Sequence, residues 1–227
     1  MIGNMYIPQH FAMSDDEIRT LLAAVDAADL VTRHGEELEA TYLPFVHDPT
    51  PAPYGRLIAH VQRNNPQVRE PITGPGLVIA HGTEHYVSPV GLPSKAEHGK
   101  VVPTWDYVTV HVRGEVRLHD DLDWAREAVT VLTERHEPAA EWTVQDPPGD
   151  FVDRMLRAVI GVEFVITGWS GKAKMAQNKT PADLAVLIDR LRAAGDDEGA
   201  GYLERVSLPA ATARAALVAD VRSRGRG

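Results

Sequence analysis

Residues 86–107 read YVSPVGLPSKAEHGKVVPTWDY. Pro89, Gly91, Pro93, Gly99 and Pro103 break any regular period, so an irregular loop between two strands is expected. Long loops without secondary structure are uncommon inside compact domains and are usually functional or disordered. Disordered linkers are poor in aromatic and β-branched residues. This stretch closes on VVPTWDYVTV, which is strand chemistry. It also concentrates Lys95, Glu97, His98, Lys100, Trp105, Asp106 and Tyr107.

Outward from this stretch, elements follow from periodicity. Ser14-Asp-Asp-Glu17 forms a capping box, and Ile18, Leu21, Leu22 and Val25 continue it, so a helix is expected over 15–28. Strands are expected at 29–31 and 38–46 around His34-Gly35, and again at 56–61. Asn65-Pro66 then caps a short helix. Residues 77–80 and 84–88 read as two paired strands around Gly82. Val108, Val110 and Val112 alternate with polar residues, which is a half-buried strand running on to Leu118. Helices are expected over 122–135, from Asp150, and from Thr180-Pro181 to a stop at Gly195. Val162–Thr167 returns to strand. Residues 195–201 read as an acidic break before a final helix at 210–221. The result is one α+β domain over 1–194 and a helical C-terminal extension over 195–227, packed on it or partly mobile.

Charge and composition narrow the function. The net charge of −9 repels a phosphate backbone, and no basic recognition helix is evident, so direct nucleic-acid binding is not expected. Cysteine is absent, which removes disulfides, zinc-thiolate sites, iron–sulfur clusters and thiolate haem ligation. No apolar run is long enough to span a bilayer and the N-terminus does not resemble a signal peptide, so no membrane association and a cytoplasmic location are expected.

Three constellations could carry chemistry. His60-Val-Gln-Arg63-Asn64-Asn65-Pro66 delivers a strand to a helix start, where free N–H groups and the forked Arg63 donor suit an anion. The plainer reading is a capped surface helix with a solvated arginine. His81, His85 and Tyr86 lie next to the central stretch, and a strand histidine there could ligate a metal or could simply be hydrogen-bonded. Lys95 and Glu97 could relay protons or form a solvated ion pair. Trp105 and Tyr107 share a parity and could wall a flat cofactor pocket or pack in the core.

SKAEHGKVVPTW followed by tyrosine resembles the signature of PaiB-like proteins, often labelled FMN-binding negative transcriptional regulators. MYIPQHF, YLPFVHD, LIAHVQRNNPQ and GKAKMAQNKTPAD match the same family in the same order, spanning 5 to about 194. The resemblance implies an FMN-binding split β-barrel of the pyridoxamine-phosphate-oxidase type, with peripheral helices. It implies a homodimer with its cofactor at the subunit interface, where loop 88–107 would lie. It places Lys174 and Gln177, beside His60, Arg63, Asn64 and Trp105, among the cofactor contacts.

Two departures from the family pattern bear on the cofactor. SPVGLPSK stands where that pattern is close to SPSWYPSK, and GKAKMAQN where it resembles GKWKLSQN. Loss of rings and hydroxyls implies a larger, less polar slot, suited to a porphyrin rather than a flavin. The chain is also similar to the haem-dependent piperazate synthase branch, whose members form an N–N bond by dehydrative cyclisation of N5-hydroxyornithine. That likeness implies haem b, with His60 the leading axial ligand and His85 the alternative, and an amino-acid substrate. Lys95 and Glu97 would be the candidate bases, and Tyr107 would line the reaction site. FMN remains the other cofactor, in a transcriptional regulator or a flavin-dependent oxidoreductase.

Overall fold

The computed structural model describes residues 5–137, 139 and 141–224. Seven strands form one antiparallel sheet: β1 (Ala27–His34), β2 (Glu37–Pro44), β3 (Val46–Asp48), β4 (Arg56–Gln62), β5 (Gly76–Val87), β6 (Thr104–His119) and β7 (Val159–Lys174). Their order is β2-β1-β5-β6-β7-β4-β3. The helices are α1 (Asp15–Ala24), α2 (Pro66–Arg69), α3 (Pro93–His98), α4 (Leu122–His136), α5 (Gly149–Leu156), α6 (Pro181–Ala193), α7 (Asp197–Tyr202) and α8 (Leu208–Arg224). The architecture is the expected α+β class.

Two compact units are drawn from interleaved segments. The first takes in Ser14–His81 and Val110–Ser170; the second takes in Tyr6–Met13, Gly82–Thr109 and the chain from Gly171. β5, β6 and β7 each change unit along their length.

The first unit holds the strand core. Leu30, Phe45, Leu57, Val78, Val110, Val112 and Phe164 are all nearly inaccessible to solvent. At about 25 cal/mol per Å² of apolar surface, each contributes roughly 1.5–3 kcal/mol. α1 begins as the capping box requires: the Glu17 amide donates to Ser14 Oγ (3.3 Å) and the Ser14 amide to Glu17 Oε2 (2.7 Å). β1 and β2 are joined through Gly35, which takes φ +61. Gly161 on β7 fits Trp124 of α4, since a Cβ there would lie 2.1 Å from the indole. That indole stacks on His119 at 4.3 Å and 6°.

The same unit holds a partly buried charge cluster. Arg56 donates to Asp48 Oδ2 and to Glu163 Oε1, both at 3.0 Å. Glu163 Oε2 lies 3.2 Å from His119 Nε2, and Asp48 Oδ1 accepts from the Thr50 hydroxyl (2.6 Å) and amide (2.9 Å). Burial alone would raise both carboxyls. Bonds from Arg56 and His119 leave Glu163 lowered, and bonds from Thr50 and Arg56 do the same for Asp48.

In the second unit, α6 starts at Thr180, whose hydroxyl accepts from the Asp183 amide (3.1 Å), with Pro181 at its first position. Leu184, Leu187 and Ile188 pack inward from α6. The buried Asp183 accepts from the Ser94 amide (3.0 Å) and hydroxyl (2.6 Å), which ties α3 to α6. One π-helical turn, Leu203–Ser207, connects α7 to α8.

Several expectations are corrected. Residues 77–80 and 84–87 lie in one continuous strand, β5, because Gly82 is accommodated within it, and Ser88 falls just beyond its end. The central stretch contains a helix, α3, because Pro93 supplies a pre-set first φ and Gly99 (φ +69) a left-handed C-cap. Residues 197–202 are helical, opened by Asp196, whose carboxylate accepts from the Gly199 amide.

Candidate functional site

The candidate residues gather at two places. The first is a cavity of about 730 Å³ in the first unit, lined by β2, β4 and the turn into α2. His60 and Asn64 line it, with Tyr42 and Asn65. The Asn65 amide donates to Thr41 (3.0 Å) and its carbonyl oxygen accepts from the Gln67 backbone (2.9 Å), so the turn is held at both ends. His60 is half-buried, its Nδ1 has no hydrogen-bond partner, and desolvation pushes its pKa down. It is a neutral imidazole at the wall of a cavity.

Arg63 is otherwise engaged. Its guanidinium pairs with Asp120 (2.6 and 2.8 Å) and donates to the Arg157 carbonyl (2.8 Å). The fork expected for an anion already holds a carboxylate.

The second place is a cavity of about 370 Å³ in the second unit, where Lys100, Lys174 and Lys179 line a wall shared with Asp106, Asn178 and Thr104. Lys174 Nζ bonds Thr104 Oγ1 (2.6 Å) and the Trp105 carbonyl, and lies 3.5 Å from Asp106 Oδ1. Among the described residues, no carboxylate forms an ion pair with Lys100 or Lys179.

Asp106 was not singled out as a site residue from the sequence, although a signal was there. It shares the parity of Val108, Val110 and Val112, so the strand turns it inward, and it is 1% exposed. Desolvation raises its pKa, only partly offset by Lys174, His85 and, more weakly, Lys179. His85 Nε2 faces Asp106 Oδ2 at 3.8 Å and His85 Nδ1 faces Asp196 Oδ2 at 3.5 Å. Neither ring nitrogen of His85, nor Asp106 Oδ2, makes a hydrogen bond. His85 therefore looks onto carboxylates rather than an open coordination position. No group of three metal-ligating side chains occurs among the described residues.

The other candidates are placed differently. Lys95 and Glu97 are exposed on α3, and neither lines the lysine-walled cavity. Trp105 is half exposed and donates to Glu84 (3.1 Å). Tyr107 carries Lys172 Nζ 5.3 Å from its ring centre. Gln177 is buried and spent locally, donating to the Ala173 carbonyl (2.6 Å) and accepting from the Met175 amide (2.8 Å). The enlarged apolar slot is not found here. Leu92 packs in the core, and the Arg190 guanidinium stands 2.7 Å from where a Cβ on Gly91 would be.

Residues 5–168 match the family model described as "Putative FMN-binding domain". The chain belongs to this family. Protease synthase and sporulation protein PAI 2 of Bacillus subtilis is 25% identical, over 83% of this chain and 89% of its own. Two solved structures share the fold. The flavocytochrome Anf3 of Azotobacter vinelandii aligns with TM-score 0.56 at 13% identity, covering 74% of this chain and 72% of that one. The FAD and haem binding protein of Mycobacterium smegmatis aligns with TM-score 0.51 at 17% identity, covering 71% of each. The fold of the FMN-binding family is the split barrel that the motifs implied. No helix among the described residues is long and apolar enough to cross a membrane.

Proposed function

We propose that this chain is a haem-dependent cyclase that closes N5-hydroxyornithine into piperazic acid. The observation that carries the cofactor is His60, a desolvated neutral imidazole on the wall of a 730 Å³ cavity. Neutral imidazole is the protonation state that ligates iron, and no thiolate competes in a chain without cysteine. The residues present fit the group: His60 would ligate it, and Asn64 would offer an amide beside it. When bound, haem would supply a Lewis-acidic iron to the substrate's hydroxylamine oxygen.

The net reaction forms one N–N bond, breaks one N–O bond and releases water, so no external reductant is required. The chain's part is to hold the α-amine against N5 and to accept its proton. Holding alone is rewarded by several kcal/mol, in the range of about 7–11 for well-oriented groups. Lys95 and Glu97 stay in solvent on α3, and neither lines the cavity that carries His60. The homodimer with its cofactor at the subunit interface is part of the same proposal.

A second reading is supported by the lysine-walled cavity. Lys100 and Lys179, which form no ion pair at contact distance among the described residues, would suit the phosphate of FMN. Absorption spectroscopy separates the two. Full-length protein reconstituted with haem is expected to show a Soret band that the His60→Ala variant lacks. Retention of flavin bands with no Soret band overturns the haem reading. Incubation of the haem-loaded protein with N5-hydroxyornithine, read by mass spectrometry, is expected to give loss of one water.

A further inference from the structure

Seven buried side-chain polar atoms lack a hydrogen bond among the described residues, and three of them meet at one point: His85 Nδ1, His85 Nε2 and Asp106 Oδ2. Native proteins leave few such atoms, and a cluster calls for a physical reason. The spacings form a line. Lys174 Nζ, on the cavity wall, lies 3.5 Å from Asp106 Oδ1; Asp106 Oδ2 lies 3.8 Å from His85 Nε2; His85 Nδ1 lies 3.5 Å from Asp196 Oδ2. The line begins at a lysine side chain 25% exposed in the cavity and ends at an aspartate side chain 28% exposed to solvent. Its two middle members, Asp106 at 1% and His85 at 10%, are closed off.

We propose that Lys174, Asp106, His85 and Asp196 form a proton relay joining the lysine-walled cavity to the surface. Lys174 touches the ligand; the other three act through it. A proton leaving an amine in the cavity passes to Lys174 as Lys174 gives one to Asp106 Oδ1. Asp106 hands its proton from Oδ2 to His85 Nε2, His85 releases the one on Nδ1 to Asp196, and Asp196 releases it to water. Each member gains one proton and loses one, and no electron moves. The groups facing Asp106 are Lys174, His85 (a cation only when protonated) and, more weakly, Lys179; the carboxylates facing His85 are Asp106 and Asp196. At 3.5–3.8 Å the three spacings are longer than hydrogen bonds, so each must shorten for a proton to pass. An isolated buried acid would perturb the same way, but it would not stand in line with a histidine of two unpartnered nitrogens. The relay does not rest on the cyclase reading: the lysine-walled cavity is distinct from the one that carries His60, and the geometry holds with either cofactor.

The test uses the full chain without cofactor, labelled with ¹³C at aspartate carboxyls, with the Asp106 signal assigned by its loss in Asp106→Asn. Asp106 is expected to stay protonated above the pH at which the exposed aspartates titrate. His85→Gln removes a neighbour that, when protonated, lowers the Asp106 pKa, and is expected to move the Asp106 midpoint further up. Lys174→Gln is expected to do the same, while Lys174→Arg, which keeps the charge, moves it less. An Asp106 that titrates with the exposed aspartates, or ignores His85→Gln in a folded sample, overturns the relay. His85→Gln, whose amide cannot pass a proton, is also expected to slow exchange of the Asp106 carboxyl proton with solvent; an unchanged exchange rate in a folded sample reduces Asp106 to a buried acid and overturns the proton role. Failure of haem binding leaves the carboxyl titration unaffected, so the two proposals fail separately.

Discussion

Arg56–Glu163–Asp48 and Lys174–Asp106–His85 are both partly buried charge clusters on strands of the same sheet, yet they are wired in opposite ways. In the first, both oxygens of each carboxylate meet a donor or a cation, and both carboxyls are held below their ordinary pKa. In the second, one carboxylate oxygen and two ring nitrogens have no hydrogen bond, and the carboxyl is raised. Burial opposes ionisation at both. The difference is whether hydrogen bonds to the charged form outweigh it. A satisfied cluster supports the fold; an unsatisfied one keeps a group ready to change charge.

The contrast can be broken most severely at Arg56. Arg56→Ala strands Glu163 and Asp48 and is expected to cost about 3 kcal/mol in urea unfolding. Because both folded-state carboxyls are lowered, their contribution is present above the ordinary carboxylate pKa and disappears as pH falls through the lowered values. Acid unfolding of the variant should therefore begin at a higher pH than in the parent chain. Equal acid limbs would show that the cluster does not carry this stability.

Ser94→Ala asks whether wiring or location matters, since Asp183 is a satisfied carboxylate in the same unit as Asp106. Asp183 is lowered because Ser94 and Thr180 more than offset its burial. Loss of the Ser94 hydroxyl is expected to cost about 2 kcal/mol by thermal or urea unfolding.

Asp106→Asn should show the smallest effect, and in the other direction. It is expected to stabilise the chain by about 1 kcal/mol or less at neutral pH, since a poorly satisfied buried charge is removed. A raised folded pKa means a penalty that grows as pH rises above the unfolded pKa, so the gain should vanish in acid. A clear loss of stability at neutral pH would place Asp106 with Glu163 as a structural residue.

Local signals carried most of the fold. Ser14 and Glu17, Asn65-Pro66 and Thr180-Pro181 each act within a few residues, and α1, α2 and α6 start where those pairs place them. The central stretch was harder, because Pro93 and Gly99 read as loop punctuation although they are also the two ends of a one-and-a-half-turn helix. The site was legible only in part. His60 sits on a cavity wall as its strand-to-helix context suggested, while Arg63 is taken by Asp120, 57 residues away. Pairings of that range leave no local pattern. Asp106 was within reach, because the alternation that placed Val108 inward extends back one step.

The π-helical turn at Leu203–Ser207 amounts to one additional residue within an otherwise regular helical path. One residue in a helix is a rotation of about 100°, so everything after it is turned by that angle. The turn lets the Ser207 hydroxyl reach the Met175 carbonyl, while Arg214 on α8 reaches the carbonyls of Gln177 and Lys179. These three carbonyls lie in the short segment that also carries Asn178 and Lys179 into the lysine-walled cavity. Deleting a single residue between 203 and 207 would swing α8 through that angle and withdraw Arg214 from the segment, with α6 and the strands left as they are. The C-terminal helix is thus indexed to the cavity by one residue of slack, much as a key is cut to a single notch.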